Sequence, residues 1–180
     1  MPNRFQASDE PSRKSGAVAA HFPLQKTIGK HTKKIVLVMV DDDEDDCILV
    51  QQSLTEACFQ CTFRYVHSGS EMMEYLHQRG AYRDMGTAPV PDLILLDLNL
   101  PGMSGREALT RLKTDPRFRA IPVIILTTSR EVEDVKICYD LGANSYITKQ
   151  PSFEGLSASI RTLMDYWVDV ATLPARKTQP

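Results

Sequence analysis

From Lys34 onward the chain alternates five times between a short apolar run and a stretch with helical spacing, and this rhythm narrows the available folds more than any other feature. Ile35-Val-Leu-Val-Met-Val40 is apolar throughout, as expected of a strand buried on both faces. Asp43 is placed to cap a helix over about Glu44 to Ala57. Thr62 to Val66 reads as a second strand, and Ser68-Gly-Ser-Glu71 has capping-box spacing for a helix through about Gln78. Arg79 to Pro91 holds two Gly and two Pro and reads as an extended loop. Asp92-Leu-Ile-Leu-Leu-Asp97 is the third strand and ends in an acid. A loop to Met103 follows, then a helix that starts at Ser104 and stops before Pro116. Val123-Ile-Ile-Leu-Thr127 is the fourth strand, and a helix from about Glu131 to Leu141 ends at Gly142. Ser145 to Thr148 is the fifth strand. A last helix from about Ser152 is expected to bury Phe153, Leu156, Ile160, Leu163, Met164 and Trp167.

Five strand-helix units with buried strands imply an α/β fold, a doubly wound five-stranded parallel sheet with right-handed crossovers. Ligands of such sheets bind beyond the carboxyl ends of the strands, near the point where strand order reverses. The chain is unusual at those ends. Strand one runs into Asp41 and Asp42, strand three into Asp97, strand four into Thr127 and strand five into Lys149. Three carboxylates brought together repel unless a cation sits among them. Oxygen ligands with room for water suit Mg²⁺. An Asp beside such a metal can attack a phosphoryl group and form an aspartyl phosphate. The metal, Lys149 and a backbone N–H would neutralise charge on the transferring oxygens, and Thr127 could bond one of them.

The remaining composition sets limits. A length of 180 residues fits one domain with tails: an N-terminal arm over 1–33, a body over 34–172 and a short tail over 173–180. No apolar run approaches the roughly 20 residues of a membrane span, and the polar N-terminus lacks a secretory pattern, so a cytosolic protein is expected. The first 34 residues carry seven Lys/Arg against two Asp/Glu, whereas residues 35–174 carry twelve against 21. A basic arm on an acidic body is read as a solvated segment or a weak docking element. Cys58-Phe-Gln-Cys61 has C-x-x-C spacing, but the pair leaves a helix and enters a strand, the reverse of a redox motif, and no second pair completes a zinc site. Buried or half-buried thiols are the favoured reading. His21, His31, His67 and His77 show no ligand spacing.

Taken in order, Val40-Asp41-Asp42, Leu96-Asp97-Leu98-Asn99-Leu100-Pro101-Gly102, Leu126-Thr127 and Tyr146-Ile147-Thr148-Lys149 resemble the receiver domains of two-component response regulators, over about residues 34–170. The resemblance implies a (βα)5 flavodoxin-like receiver fold. It implies that Asp97 accepts a phosphoryl group from a histidine kinase, and that Asp42, Asp97 and the Asn99 carbonyl bind Mg²⁺, with Asp41 completing the acidic pocket. It further implies that Lys149 contacts the phosphoryl oxygens. Thr127 and Tyr146 would act as the switch, moving inward on phosphorylation and altering the face formed by helix four, strand five and helix five. Leu126-Thr-Thr-Ser129, the 79–91 loop and the segment Trp167 to Pro174 resemble regulators paired with cyanobacterial phytochromes. A sensor histidine kinase, an unknown downstream protein and a homodimer through the switching face are the expected partners, with neither membrane nor DNA-binding domain. Read without the family, Tyr146 is equally a half-buried strand aromatic.

Two departures stand out. The family usually places Pro, joined by a cis bond, directly after the conserved Lys; here Gln150 intervenes before Pro151, so this loop is expected to be trans or reshaped. The acidic run Asp41 to Asp46 is also dense. Asp43, Glu44, Asp45 and Asp46 are read as first-turn residues favoured by the helix dipole, with tuning of metal affinity or kinase recognition as the alternative. Two rivals are weighed against the receiver reading. A phosphatase or dehalogenase with an Asp nucleophile wants Asp-x-Asp, where this chain has Asp97-Leu98-Asn99. A pseudo-receiver scaffold would bind partners without phosphorylation.

Overall fold

A computed structural model describes residues 34–57, 59–83 and 89–175. The expected N-terminal arm, Cys58 and the last five residues of the tail lie outside the described residues. The strands are β1 (Ile35–Val40), β2 (Cys61–Val66), β3 (Leu93–Leu96), β4 (Val123–Thr127) and β5 (Ser145–Thr148). All four pairings are parallel, in the order β2-β1-β3-β4-β5. Strand order therefore reverses between β1 and β3, at the centre of the sheet.

Alternation along the strands divides the core in two. Val36, Val38, Val40, Ile94, Leu96, Val123 and Ile125 point to one face and pack on helices α2 (Gly69–His77), α3 (Gly105–Thr114) and α4 (Val132–Asp140). Ile35, Leu37, Met39, Leu93, Leu95, Ile124 and Leu126 point to the other and pack on α1 (Glu44–Glu56) and α5 (Phe153–Asp165). The continuous apolar runs are thus strands with two dry faces, as a parallel sheet requires.

Local chemistry sets the helix starts. The side chain of Asp43 accepts from the N–H groups of Asp45 and Asp46, Ser68 from Glu71, Ser104 from Glu107 and Ser152 from Gly155. At the other end, α2 stops one residue earlier than its pattern predicts, because Gln78 turns left-handed at φ 52°. Gly142, at φ +95°, follows α4 as expected. The described part of the 79–91 loop contains a 3₁₀ turn, Gly80–Tyr82.

The last helix departs from expectation. Leu156, Ile160, Leu163 and Met164 are buried, but Phe153 and Trp167 are only half-buried. Phe153 is the first residue of α5, and Trp167 lies in a π-helical extension, Tyr166–Val170. The wider turn shifts the inward face by one position, so Val168 takes the buried place. Every described peptide bond is trans, including Lys149-Gln150, which answers the question raised by the displaced proline.

One glycine fixes the approach of α3 to the sheet end. A Cβ on Gly105 would lie 2.0 Å from the Asp97 carbonyl oxygen and 2.6 Å from the Leu98 Cα, both of them backbone atoms. No side chain can yield there, so Gly105→Ala must displace either α3 or the segment that carries Asp97. The expected cost is about 2–3 kcal/mol, by the scale of overpacked cores, measured as a lower urea midpoint at unchanged slope. An unfolding midpoint matching wild type would show that this contact is not the constraint.

Candidate functional site

The carboxyl ends of β1, β3, β4 and β5 bring together the side chains that the sequence singles out. Asp41 follows β1 directly and is 1% exposed. Its N–H donates to the Val66 carbonyl of β2 at 3.0 Å, and its Oδ1 accepts from the Asp43 N–H at 3.1 Å. Asp97 follows β3, and its N–H donates to the Val40 carbonyl at 3.0 Å. Its Oδ1 accepts from the Asn99 N–H at 3.1 Å, which orients the carboxylate. Asp42 is exposed beside them. Carboxylate oxygens of Asp41, Asp42 and Asp97 all lie within 4.8 Å of one another.

Lys149 closes this cluster. Its N–H donates to the Thr127 carbonyl at 2.8 Å, carrying the β4–β5 pairing one residue past the strands. Its ammonium lies 2.7 Å from Asp41 Oδ2, 2.7 Å from Asp46 Oδ2 and 2.9 Å from Asp97 Oδ2. An ammonium has three N–H donors, and here three carboxylates take them. Burial alone would pull the lysine down, but its bonds to Asp41 and Asp46 outweigh that and hold it above its ordinary value.

One positive charge does not balance the surrounding acids. Burial pushes the Asp41 carboxyl up to about 6, with Asp97 adding repulsion, although Lys149 pulls the other way. This surplus of negative charge, on hard oxygen ligands, fits a divalent cation that binds through one or two carboxylates and keeps its water.

Thr127 is fully buried at the end of β4, and its Oγ1 accepts from the Ser129 N–H at 3.4 Å. Asn99 is exposed, with its side-chain amide 3.4 Å from Thr128 Oγ1. Tyr146 is half-buried in β5, packs against the core beneath α2, α3 and α4, and donates its hydroxyl to the Ser129 carbonyl at 3.1 Å. All seven residues expected at the site or its switch therefore lie at or close to this sheet end.

Asp46 is the residue that sequence reasoning missed. It reads as one of several first-turn acids favoured by the helix dipole, yet it makes a 2.7 Å ion pair with Lys149. The available signal was its place one turn after Asp42, on the side of α1 that faces the strand ends. His67 also touches the rim, its ring Nδ1 lying 3.1 Å from the Asp41 carbonyl oxygen. The described cysteines stay outside the chemistry. Burial pushes the thiol of Cys47 up to about 12 and raises that of Cys61, the opposite of activation.

Comparison with known proteins agrees with this geometry. Residues 36–161 match the response regulator receiver domain family. The chain is 37% identical over 140 residues to response regulator Rcp1 of Synechocystis sp., covering 78% of this chain and 93% of that protein. It superimposes on the crystal structure of the Mn²⁺-bound form of Rcp1 with a TM-score of 0.72, covering 78% of this chain and 99% of that one. The phosphorylated cyanobacterial phytochrome response regulator RcpA gives 0.73 at 38% identity, covering 79% and 100%. Response regulator RPA3017, from red light signalling in R. palustris, also gives 0.73, at 29% identity over 78% and 99%. Five parallel strands with five covering helices, an acidic cluster at the switch point and these matches lead to one conclusion: the chain belongs to the receiver-domain family of two-component response regulators, on the side of the family that includes the cyanobacterial phytochrome regulators.

Proposed function

We propose that Asp97 is the phosphoacceptor and that this regulator takes its phosphoryl group from a sensor histidine kinase of the phytochrome class. The carrying observation is the contact of Lys149 with both Asp41 and Asp97, inside a three-carboxylate cluster at the switch point. Asp97 Oδ1 already has a backbone donor, so the carboxylate is oriented before any phosphoryl donor arrives. One of its oxygens attacks the phosphorus, and the bond from phosphorus to the kinase histidine nitrogen breaks. Lys149 turns N–H donors toward the phosphoryl oxygens, and the Thr127 hydroxyl supplies a further bond. Asp41, Asp42, Asp97 and the Asn99 carbonyl would hold Mg²⁺, which supplies positive charge against the phosphoryl oxygens. Hydrolysis of the acyl phosphate by water returns the carboxylate, so turnover is limited to self-catalysed phosphorylation and dephosphorylation.

Output follows from Thr127 and Tyr146. When Thr127 turns to the phosphoryl group, its hydroxyl leaves the Ser129 N–H, and Tyr146 can give up the Ser129 carbonyl and rotate inward. The affected face includes α4, where Val132 is 82% and Tyr139 49% exposed. Apolar side chains in that position suit a second copy of the chain or a downstream protein. We assign the protein to the cytoplasm, alongside the kinase that supplies its phosphoryl group. Among the described residues, no helix is long and apolar enough to cross a membrane.

Intact-protein mass after incubation with acetyl phosphate and Mg²⁺ tests the assignment. One added phosphoryl group is expected, and it should be absent with EDTA or in Asp97→Asn. Labelling that survives Asp97→Asn would move the acceptor elsewhere, and no labelling under any condition would favour a scaffold that works without phosphorylation. Proton competition gives a second test. With Asp41 titrating at about 6, Mg²⁺ affinity should be flat above about pH 7. Below about pH 6 it should fall about tenfold per unit, because the cation binds the ionised carboxylate and must displace its proton. Calorimetric titrations between pH 5 and 8 would read the slope, and a pH-independent affinity would exclude Asp41 from the cation site.

A further inference from the structure

We propose that Asp46 is a positioning residue for Lys149, drawing its ammonium away from Asp41 and Asp97 so that those carboxylates can take the divalent cation. The inference rests on the phosphoacceptor reading above and deepens it.

The cation and the lysine compete for the same carboxylates. Lys149 sits on Oδ2 of Asp41 and Oδ2 of Asp97, and both residues belong to the three-carboxylate cluster. Asp46 belongs to the lysine shell and lies outside that cluster. It therefore has no oxygen to give up when the cation arrives. It is the one partner the ammonium keeps, while the N–H donors released from Asp41 and Asp97 become free for phosphoryl oxygens.

Its placement is held by the start of α1. The Asp43 carboxylate accepts from the N–H groups of Asp45 and Asp46 at 2.9 and 3.4 Å. That cap fixes the first turn and directs Asp46 to Lys149, with only 24% of its side chain exposed. Without Asp46 the ammonium would be shared by two carboxylates instead of three. Both contacts would tighten, and the cation would meet a stronger competitor. The loss of a negative charge near the site also disfavours the cation, but that effect needs no lysine. The two contributions can therefore be separated.

Mg²⁺ affinity of the unphosphorylated protein, measured by calorimetry, separates them in a double-mutant cycle. Asp46→Asn should weaken Mg²⁺ binding about three- to tenfold, the range expected for directly coupled groups. Lys149→Met should tighten it, because the competitor is gone. Asp46→Asn placed in the Lys149→Met background should then change affinity by less than about twofold. Asp45→Asn is the control in the unmodified background. Asp45 is exposed, lies in the same turn and carries the same charge, so its loss reports charge alone, with an expected change below about twofold. This control holds even if Lys149→Met fails to fold. No effect of Asp46→Asn would overturn the proposal, and so would an equal effect from Asp45→Asn or an undiminished effect without Lys149. Acetyl phosphate labelling of wild type runs in parallel. Wild type that labels and binds Mg²⁺ while the cycle shows no coupling rejects only the role of Asp46. Wild type that does neither rejects the phosphoacceptor reading and this inference with it.

Discussion

Everything at the working end of this molecule depends on one ammonium held among three carboxylates. Lys149 bonds Asp41 after β1, Asp97 after β3 and Asp46 in α1, and its own backbone extends β5. Elements from β1 to β5 are thus joined at one nitrogen atom. Removing one partner of a buried ion pair typically costs about 3–5 kcal/mol, because the remaining charge is stranded. The pair is therefore a firm clamp, but an unbalanced one. One positive charge stands against three carboxylates, and burial raises the Asp41 carboxyl to about 6. A site in that condition favours the arrival of more positive charge, which makes cation binding a consequence of the electrostatics and not an addition to them.

Ser129 joins the site threonine to the neighbouring elements. Its N–H donates to Thr127 Oγ1, its carbonyl accepts from the Tyr146 hydroxyl, and its own hydroxyl donates to Asp134 Oδ2 at 2.6 Å. Asp134, on α4, is in turn ion-paired with Arg106 of α3. One serine thus links the buried threonine at the site to β5, α4 and α3. Rotation of Thr127 would remove one of four hydrogen bonds at Ser129, the fourth being donated by the Glu131 N–H to its hydroxyl at 3.4 Å.

Much of this was legible in the sequence because strands of a parallel sheet announce themselves as apolar runs, and polar residues that interrupt a run mark its end. Asp41, Asp97 and Thr127 are each the first polar residue after such a run or the polar residue that closes it, Lys149 follows Thr148 at the end of β5, and each sits at the carboxyl end of the sheet as expected. Asp46 was not legible for the opposite reason. In a run of acids at a helix start every carboxylate has the same favourable interaction with the helix dipole, and only the distance to a lysine 103 positions later distinguishes one of them. Trp167 was misjudged because regular helical spacing was carried across a π-helical turn, where the period is longer. Periodicity reports contacts within an element, whereas both misses depend on geometry between or beyond elements.

The two ends of the same sheet show why the chemistry is confined to one of them. At the amino ends of the strands, polar side chains complete the backbone. Asp92 Oδ2 accepts from the Val36 N–H at 2.7 Å, Asn144 Oδ1 accepts from the Val123 N–H at 3.0 Å, and Lys113 Nζ donates to the Ile121 carbonyl at 2.8 Å. Such bonds seal strand termini and leave little charge to be neutralised. At the carboxyl ends the side chains face one another, acid against acid with one lysine between them. Parallel strands make this asymmetry unavoidable, since every strand presents the same end to the same side. A residue placed after β1 therefore faces the one placed after the neighbouring β3, and the long side chain of Lys149 reaches both from β5. The sealed end stabilises the fold, and the unbalanced end holds the charges through which a phosphoryl group can act.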